Sequence, residues 1–142
     1  MSDPSARPAQ GNLFASLPDA GDGERFDTLF ANAACRVERI VSCGHASPPG
    51  FWYEQDEDEW VVLLVGSAVL AFADGRVLAL RAGDWTSLPA RCRHRVESVS
   101  GDAVWLAVHC RADKARAPAT PARRIHQCLR YPPPRFAAGV PF

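Results

Sequence analysis

The chain has 142 residues, 47% of them hydrophobic and 23% charged, enough for one domain with its own core and unlike a disordered or fibrous chain. Its formal net charge of zero hides an asymmetry: residues 1–110 carry nine Arg against fifteen Asp or Glu, and residues 111–142 carry seven Lys or Arg against one Asp. Five cysteines with no CxxC pair argue against a disulfide framework and a zinc knuckle and suit a reducing cytosol.

In chain order, residues 1–23 form a polar arm without the apolar core of a secretory signal. Its patch of Leu13, Phe14 and Leu17 is expected to dock on the body. Between 24 and 32, Phe26, Leu29 and Phe30 recur at helical spacing, which predicts a short amphipathic helix used for packing. From Cys35 the pattern turns to strands, predicted at 36–42, 51–55, 60–65, 68–73, 77–80, 85–88, 93–99 and 104–110. Asp74-Gly75, between two apolar runs, signals a type I′ hairpin, in which both central residues take positive φ. Many short strands at close spacing imply a sandwich or barrel and disfavour an α/β fold.

The longest apolar run, 61–73, is interrupted by Gly66 and is short of the about 20 residues that a membrane helix needs, so a cytoplasmic protein without membrane contact is expected. After Arg111 the chain becomes Ala, Pro and Arg, with Pro118, Pro121 and three prolines at 132–134, which predicts an extended tail over 111–142. Phe136, Val140 and Phe142 could anchor that tail. Its positive charge has a nearer partner in the acidic body than in nucleic acid, and it lacks interleaved aromatic residues, so no nucleic-acid partner is expected.

Two stretches share a telling punctuation: Tyr53, Gln55, Glu59 and Gly66, then Gly83, Pro89 and His94. They resemble the two sequence motifs of the cupin superfamily. In its first motif two histidines one residue apart precede a glutamate and, seven positions on, a glycine; Glu59 and Gly66 keep that spacing, while Tyr53 and Gln55 stand at the histidine positions. In its second motif a proline follows a glycine by six positions and a histidine comes five later, which Gly83, Pro89 and His94 match. Phrases at 52–55, 59–60, 94–96 and 105–109 further resemble a subgroup of small single-domain cupins. Arg91 replaces the glycine usual two after the proline, and Ser47 stands where an opening glycine is expected.

The resemblance implies an all-β, single-domain jelly-roll barrel over 24–110, a homodimer, and a divalent metal inside the barrel. Iron, manganese, nickel or zinc would suit imidazole and carboxylate donors. His94, Glu59, Gln55 and His109 are the candidate metal ligands, and Tyr53 and His94 the candidate catalytic groups. Tyr53 would ligate well only as phenolate, about three pKa units below its ordinary value. On the last strand Trp105, Ala107 and His109 share one face and Val104, Leu106 and Val108 the other; either could be interior. Arg91, Arg93 and Arg95 flank His94, and an anionic ligand becomes attractive if Arg93 or Arg95 faces the cavity. His45 and His126 are bystanders in this reading.

No Gly-rich phosphate loop, GxSxG elbow or dinucleotide fingerprint is present. Three functions remain: a metal-dependent cupin that oxygenates, isomerises or decarboxylates a small organic molecule, a cupin that binds or senses a small molecule without metal, or a mainly structural protein whose dimer and basic tail are the working surface.

Overall fold

In the computed structural model, which describes residues 7–18 and 23–112, eight strands pair in antiparallel fashion into two sheets. They are β1 (Arg25–Ala31), β2 (Cys35–Ser42), β3 (Glu57–Val65), β4 (Ser67–Phe72), β5 (Val77–Arg81), β6 (Trp85–Leu88), β7 (His94–Val99) and β8 (Ala103–Arg111). The larger sheet runs β1-β2-β8-β3-β6 and the smaller β5-β4-β7. No helix among the described residues is long and apolar enough to cross a membrane.

Strand β8 lies between β2 and β3, and the two ladders set the inner face of the large sheet. Ile40 and Leu63 flank Trp105, Glu38 and Val61 flank Ala107, and Arg36 and Glu59 flank His109. Because side chains alternate along a strand, this register places all nine on one face. Trp105, Ala107 and His109 are buried, which settles the open question of the last strand in favour of this face. Leu63, Leu70, Leu80 and Leu88 close the core from both sheets.

The predicted helix over 24–32 is instead the edge strand β1. A bulge between Thr28 and Phe30 breaks its pairing with β2, so the two-residue period slips and the apolar residues fall at helix-like offsets. Phe26, Leu29 and Phe30 are each about half exposed, leaving no buried apolar stripe that a helix would need. Asn32 then closes the β1–β2 turn, its Oδ1 accepting from the backbone N–H of Ala34 and Cys35.

The predicted strand over 51–55 reduces to a single bridge, in which Tyr53 and His94 exchange both backbone hydrogen bonds (2.7 and 3.1 Å). The Asp74-Gly75 hairpin forms between β4 and β5, but only Gly75 takes positive φ (87°). With Phe72 O accepting from Gly75 N and Arg76 O from Phe72 N, it is a three-residue loop with glycine at the left-handed position. The arm is held differently from expectation: Phe14 and Leu17 stay exposed, and Arg39 instead donates to the carbonyls of Leu13 and Ala15 while pairing with Asp27 at 2.6 Å. The tail expected beyond β8 falls on residues 113–142, outside the described residues.

Gly66, the last residue of the first motif, has φ 90°, and a Cβ there would come within 2.3 Å of Ser100 Oγ and 3.1 Å of Ala103 Cα. Gly75 has the same backbone sign with open space around it. Gly75→Ala is expected to cost about 1 kcal/mol, the left-handed backbone term alone, and Gly66→Ala clearly more. Denaturant unfolding of the two variants checks this, equal losses contradicting the packing role.

Candidate functional site

Between the sheets lies a cavity of about 310 Å³. The expected residues Tyr53, Gln55, Glu59, His94 and His109 all line it. Glu59 and His109 face each other across the β3–β8 ladder. His94 opens β7, and the Tyr53 bridge lays the two rings together, centroids 5.5 Å apart and planes 22° apart. Arg91 takes the left-handed backbone (φ 66°) that its glycine position calls for, and it pairs with Asp56 at 2.7 Å, so the turn into His94 survives the substitution.

Three residues that sequence reasoning passed over complete the polar lining: Glu24, Arg36 and Glu38. Arg36 and Glu38 share a face with Ile40 on β2, a charged pair in phase with an apolar residue, which was the available signal. Glu24, just before β1, left none. Apolar walls come from Ile40, Val61, Leu70, Leu88 and Val96, with Trp105 at one side and Phe26 at the edge.

The polar groups form two networks. In the first, Trp105 Nε1 donates to Ser42 Oγ (3.2 Å), Ser42 donates to Glu24 (3.1 Å), and Tyr53 donates to the other Glu24 oxygen (3.2 Å). In the second, Gln55 donates to Glu59 at 2.8 Å and approaches His109 Nδ1 at 3.5 Å. His109 Nε2 lies 3.3 Å from Glu38, whose other oxygen is 2.9 Å from Arg36 Nε, an ion contact without hydrogen-bond alignment. Arg36 also reaches Glu57 at 3.2 Å.

His94 Nδ1 is 3.0 Å from the carbonyl oxygen of Cys92. A carbonyl only accepts, so Nδ1 carries the hydrogen, and in the neutral ring Nε2 is then the acceptor. Burial, together with the charges of Glu24 and Glu59 and the Glu24 hydrogen bond, pushes the Tyr53 phenol up to about 12. That is the opposite of what phenolate ligation needs. Among the described residues no three of His, Cys, Asp and Glu converge to hold a metal ion. The donor set therefore does not fit a metal centre: at the two histidine positions stand a neutral phenol and an amide, each bound to a carboxylate.

The flanking arginines lie elsewhere. Arg91 and Arg93 pair with Glu54, Arg95 with Glu97 and the Ser47 carbonyl, and the guanidinium groups of Arg93 and Arg95 sit over the Trp52 ring. None of the three lines the cavity, and His45 is exposed. Burial raises the Cys92 thiol, which makes it a poor nucleophile. The four described cysteines are free, although Cys35 and Cys110 are opposite each other on β2 and β8.

Neither a family model nor a curated protein matches the chain. Among solved structures, a "putative mannose-6-phosphate isomerase" from Ralstonia eutropha is 47% identical, with a TM-score of 0.71 over 74% of this chain and 100% of that one. An RmlC-like cupin from Desulfovibrio desulfuricans is 13% identical, with a TM-score of 0.61 over 73% of this chain and 97% of that one. Another from Shewanella frigidimarina is 16% identical, with a TM-score of 0.59 over 77% and 95%. At those two identities the likeness concerns fold alone.

The Tyr53 shift sets an alkaline expectation. A phenol whose pKa rises from 10.0 to about 12 on folding contributes stability that is complete below pH 10 and lost as the pH climbs through 12. Phenolate absorbance, read as the difference between the native protein and Tyr53→Phe, is expected to show this late titration. Glu24→Gln is expected to bring it part of the way down. Ionisation of Tyr53 at its ordinary value would contradict the buried Tyr53–Glu24 pair.

Proposed function

The chain has the fold of the RmlC-like cupins, and on that footing we propose that it is a cupin whose cavity binds a small organic molecule directly, without a resident metal ion. The observation that carries this reading is the pairing at the two substituted positions: Tyr53 with Glu24 and Gln55 with Glu59. Each replacement is a neutral donor that meets a carboxylate, Tyr53 at Glu24 and Gln55 at Glu59, and neither offers the imidazole nitrogen that an ion would take at its position.

The cavity otherwise has the attributes of a small-molecule site. It has a volume of about 310 Å³, within the range of ligand pockets, and apolar walls with a few convergent polar groups. The proposed occupant contacts Tyr53, His94 and Glu59 and packs on Trp105. His94 Nε2, held as an acceptor by its Nδ1 bond, orients a donor group of that molecule.

The Ralstonia relative is named for a phosphorylated sugar, a substrate that does not suit this cavity. A phosphate needs positive charge, and Arg36, the guanidinium that lines the cavity among the described residues, is already paired with Glu38 and Glu57. Homodimer formation, as small cupins show, and a cytoplasmic setting, which suits thiols at Cys35 and Cys110, are part of the same proposal.

Thermal unfolding with and without a strong chelator tests the metal-free reading. An ion held at a hundred times its dissociation constant would add about 2.7 kcal/mol. The expected result is an unchanged midpoint after chelation and after addition of zinc or manganese. A drop on chelation, reversed by one equivalent of ion and absent in His94→Ala and Glu59→Ala, would contradict it.

A further inference from the structure

Resting on the metal-free reading, we propose that the cavity's ligand is a small organic cation, an ammonium group on a compact apolar body, seated between Glu24 and Glu59. Both carboxylates line the cavity, and the hydrogen-bond partners of both are neutral. Glu59, only 8% exposed, is met by the Gln55 amide, and Glu24 by the hydroxyls of Ser42 and Tyr53. Neither forms an ion pair among the described residues. Glu38, by contrast, is met by Arg36 and His109.

A carboxylate drawn out of water without an opposite charge is costly, and the apolar walls sharpen the attraction for whatever cation arrives. Burial first, and then the charges of Glu24 and Glu59, oppose ionisation of Tyr53, so the phenol between them stays neutral and leaves their charge uncancelled. Besides Arg36 Nε, which faces Glu38 without hydrogen-bond alignment, one ring nitrogen at the cavity lacks a partner and asks for a donor. His94 is 7% exposed, and its Nε2 lone pair meets no hydrogen-bond partner among the described residues. Acceptors thus surround the space on several sides, and an anion would meet two charges of its own sign.

Size and walls decide between an inorganic and an organic cation. A bare ion would leave most of about 310 Å³ empty, whereas a ring or short alkyl body fills it against Val61, Leu70, Leu88 and Val96. The Trp105 indole, which also lines the cavity, adds aromatic surface to which an ammonium group is attracted. Charge, shape and hydrogen-bond polarity converge on one ligand class.

Three probes of nearly equal shape test this: benzylamine, protonated at neutral pH, benzyl alcohol and benzoate, each titrated calorimetrically into the full chain at low salt. Benzylamine is expected to bind about tenfold or more tighter than the alcohol, with benzoate weakest. Glu24→Gln and Glu59→Gln are each expected to weaken benzylamine several-fold while leaving the alcohol nearly unchanged. Equal or tighter binding of the alcohol or benzoate, or binding of none of the three, overturns the proposal. Manganese and zinc titrated into the same protein separate the two failures: a tight one-to-one ion would overturn the metal-free reading, whereas amine and alcohol binding alike without one overturns only the cationic ligand.

Discussion

Everything at this site depends on the double pairing of β8. A strand held on both sides has no freedom of register, since a slip of one residue would turn every side chain to the other face. Pairing Ile40, Glu38 and Arg36 with Trp105, Ala107 and His109 on one side, and Leu63, Val61 and Glu59 with the same three on the other, lays down a floor that is apolar at one end and charged at the other. Leu63 and Ala107, both without exposed surface, keep that floor closed. The small sheet then supplies only a cover, with Leu70, Val96 and His94 reaching the same space.

Upon this floor the two motif substitutions act as a matched pair. Tyr53 and Gln55 do not simply lose imidazole donors; each brings a hydrogen to a carboxylate, Glu24 in one case and Glu59 in the other. Neutral donors satisfy geometry without cancelling charge. The cavity therefore keeps its negative character and its unbonded His94 Nε2 while losing the convergence of ligands that an ion requires. In the proposed function, ligand recognition by charge and shape rests on the same residues that leave the ion without its ligands.

The sequence displayed the sheet well where alternation and turn chemistry agree. The β4–β5 hairpin and strands β3 to β8 lie close to their expected places, because glycine and proline punctuate them and two-residue alternation runs between. It misled where a bulge disturbed the period, so that β1 carried a helical spacing of Phe26, Leu29 and Phe30. Residues 51–55 resembled a strand by composition, yet only Tyr53 finds a partner, because the backbone here serves to clip the first motif to His94. For the site, the motif spacing located Tyr53, Gln55, Glu59 and His94, and strand alternation added His109. Glu24 was invisible, since its role depends on a loop lying beside Ser42 and Tyr53 and on no local pattern. The arginines around His94 suggested an anion, but alternation and ion pairs with Glu54 and Glu97 carry them away from the cavity.

The central claim is that Tyr53 and Gln55, which stand as neutral donors where two imidazole ligands would be needed, make this cavity metal-free. Its most direct test is metal content by mass spectrometry of tag-free protein, native beside the double variant Tyr53→His/Gln55→His, which restores the two histidines next to Glu59 and His94. The account predicts that the double variant takes up a stoichiometric divalent ion and the native protein does not. A native protein carrying one ion per chain would contradict it.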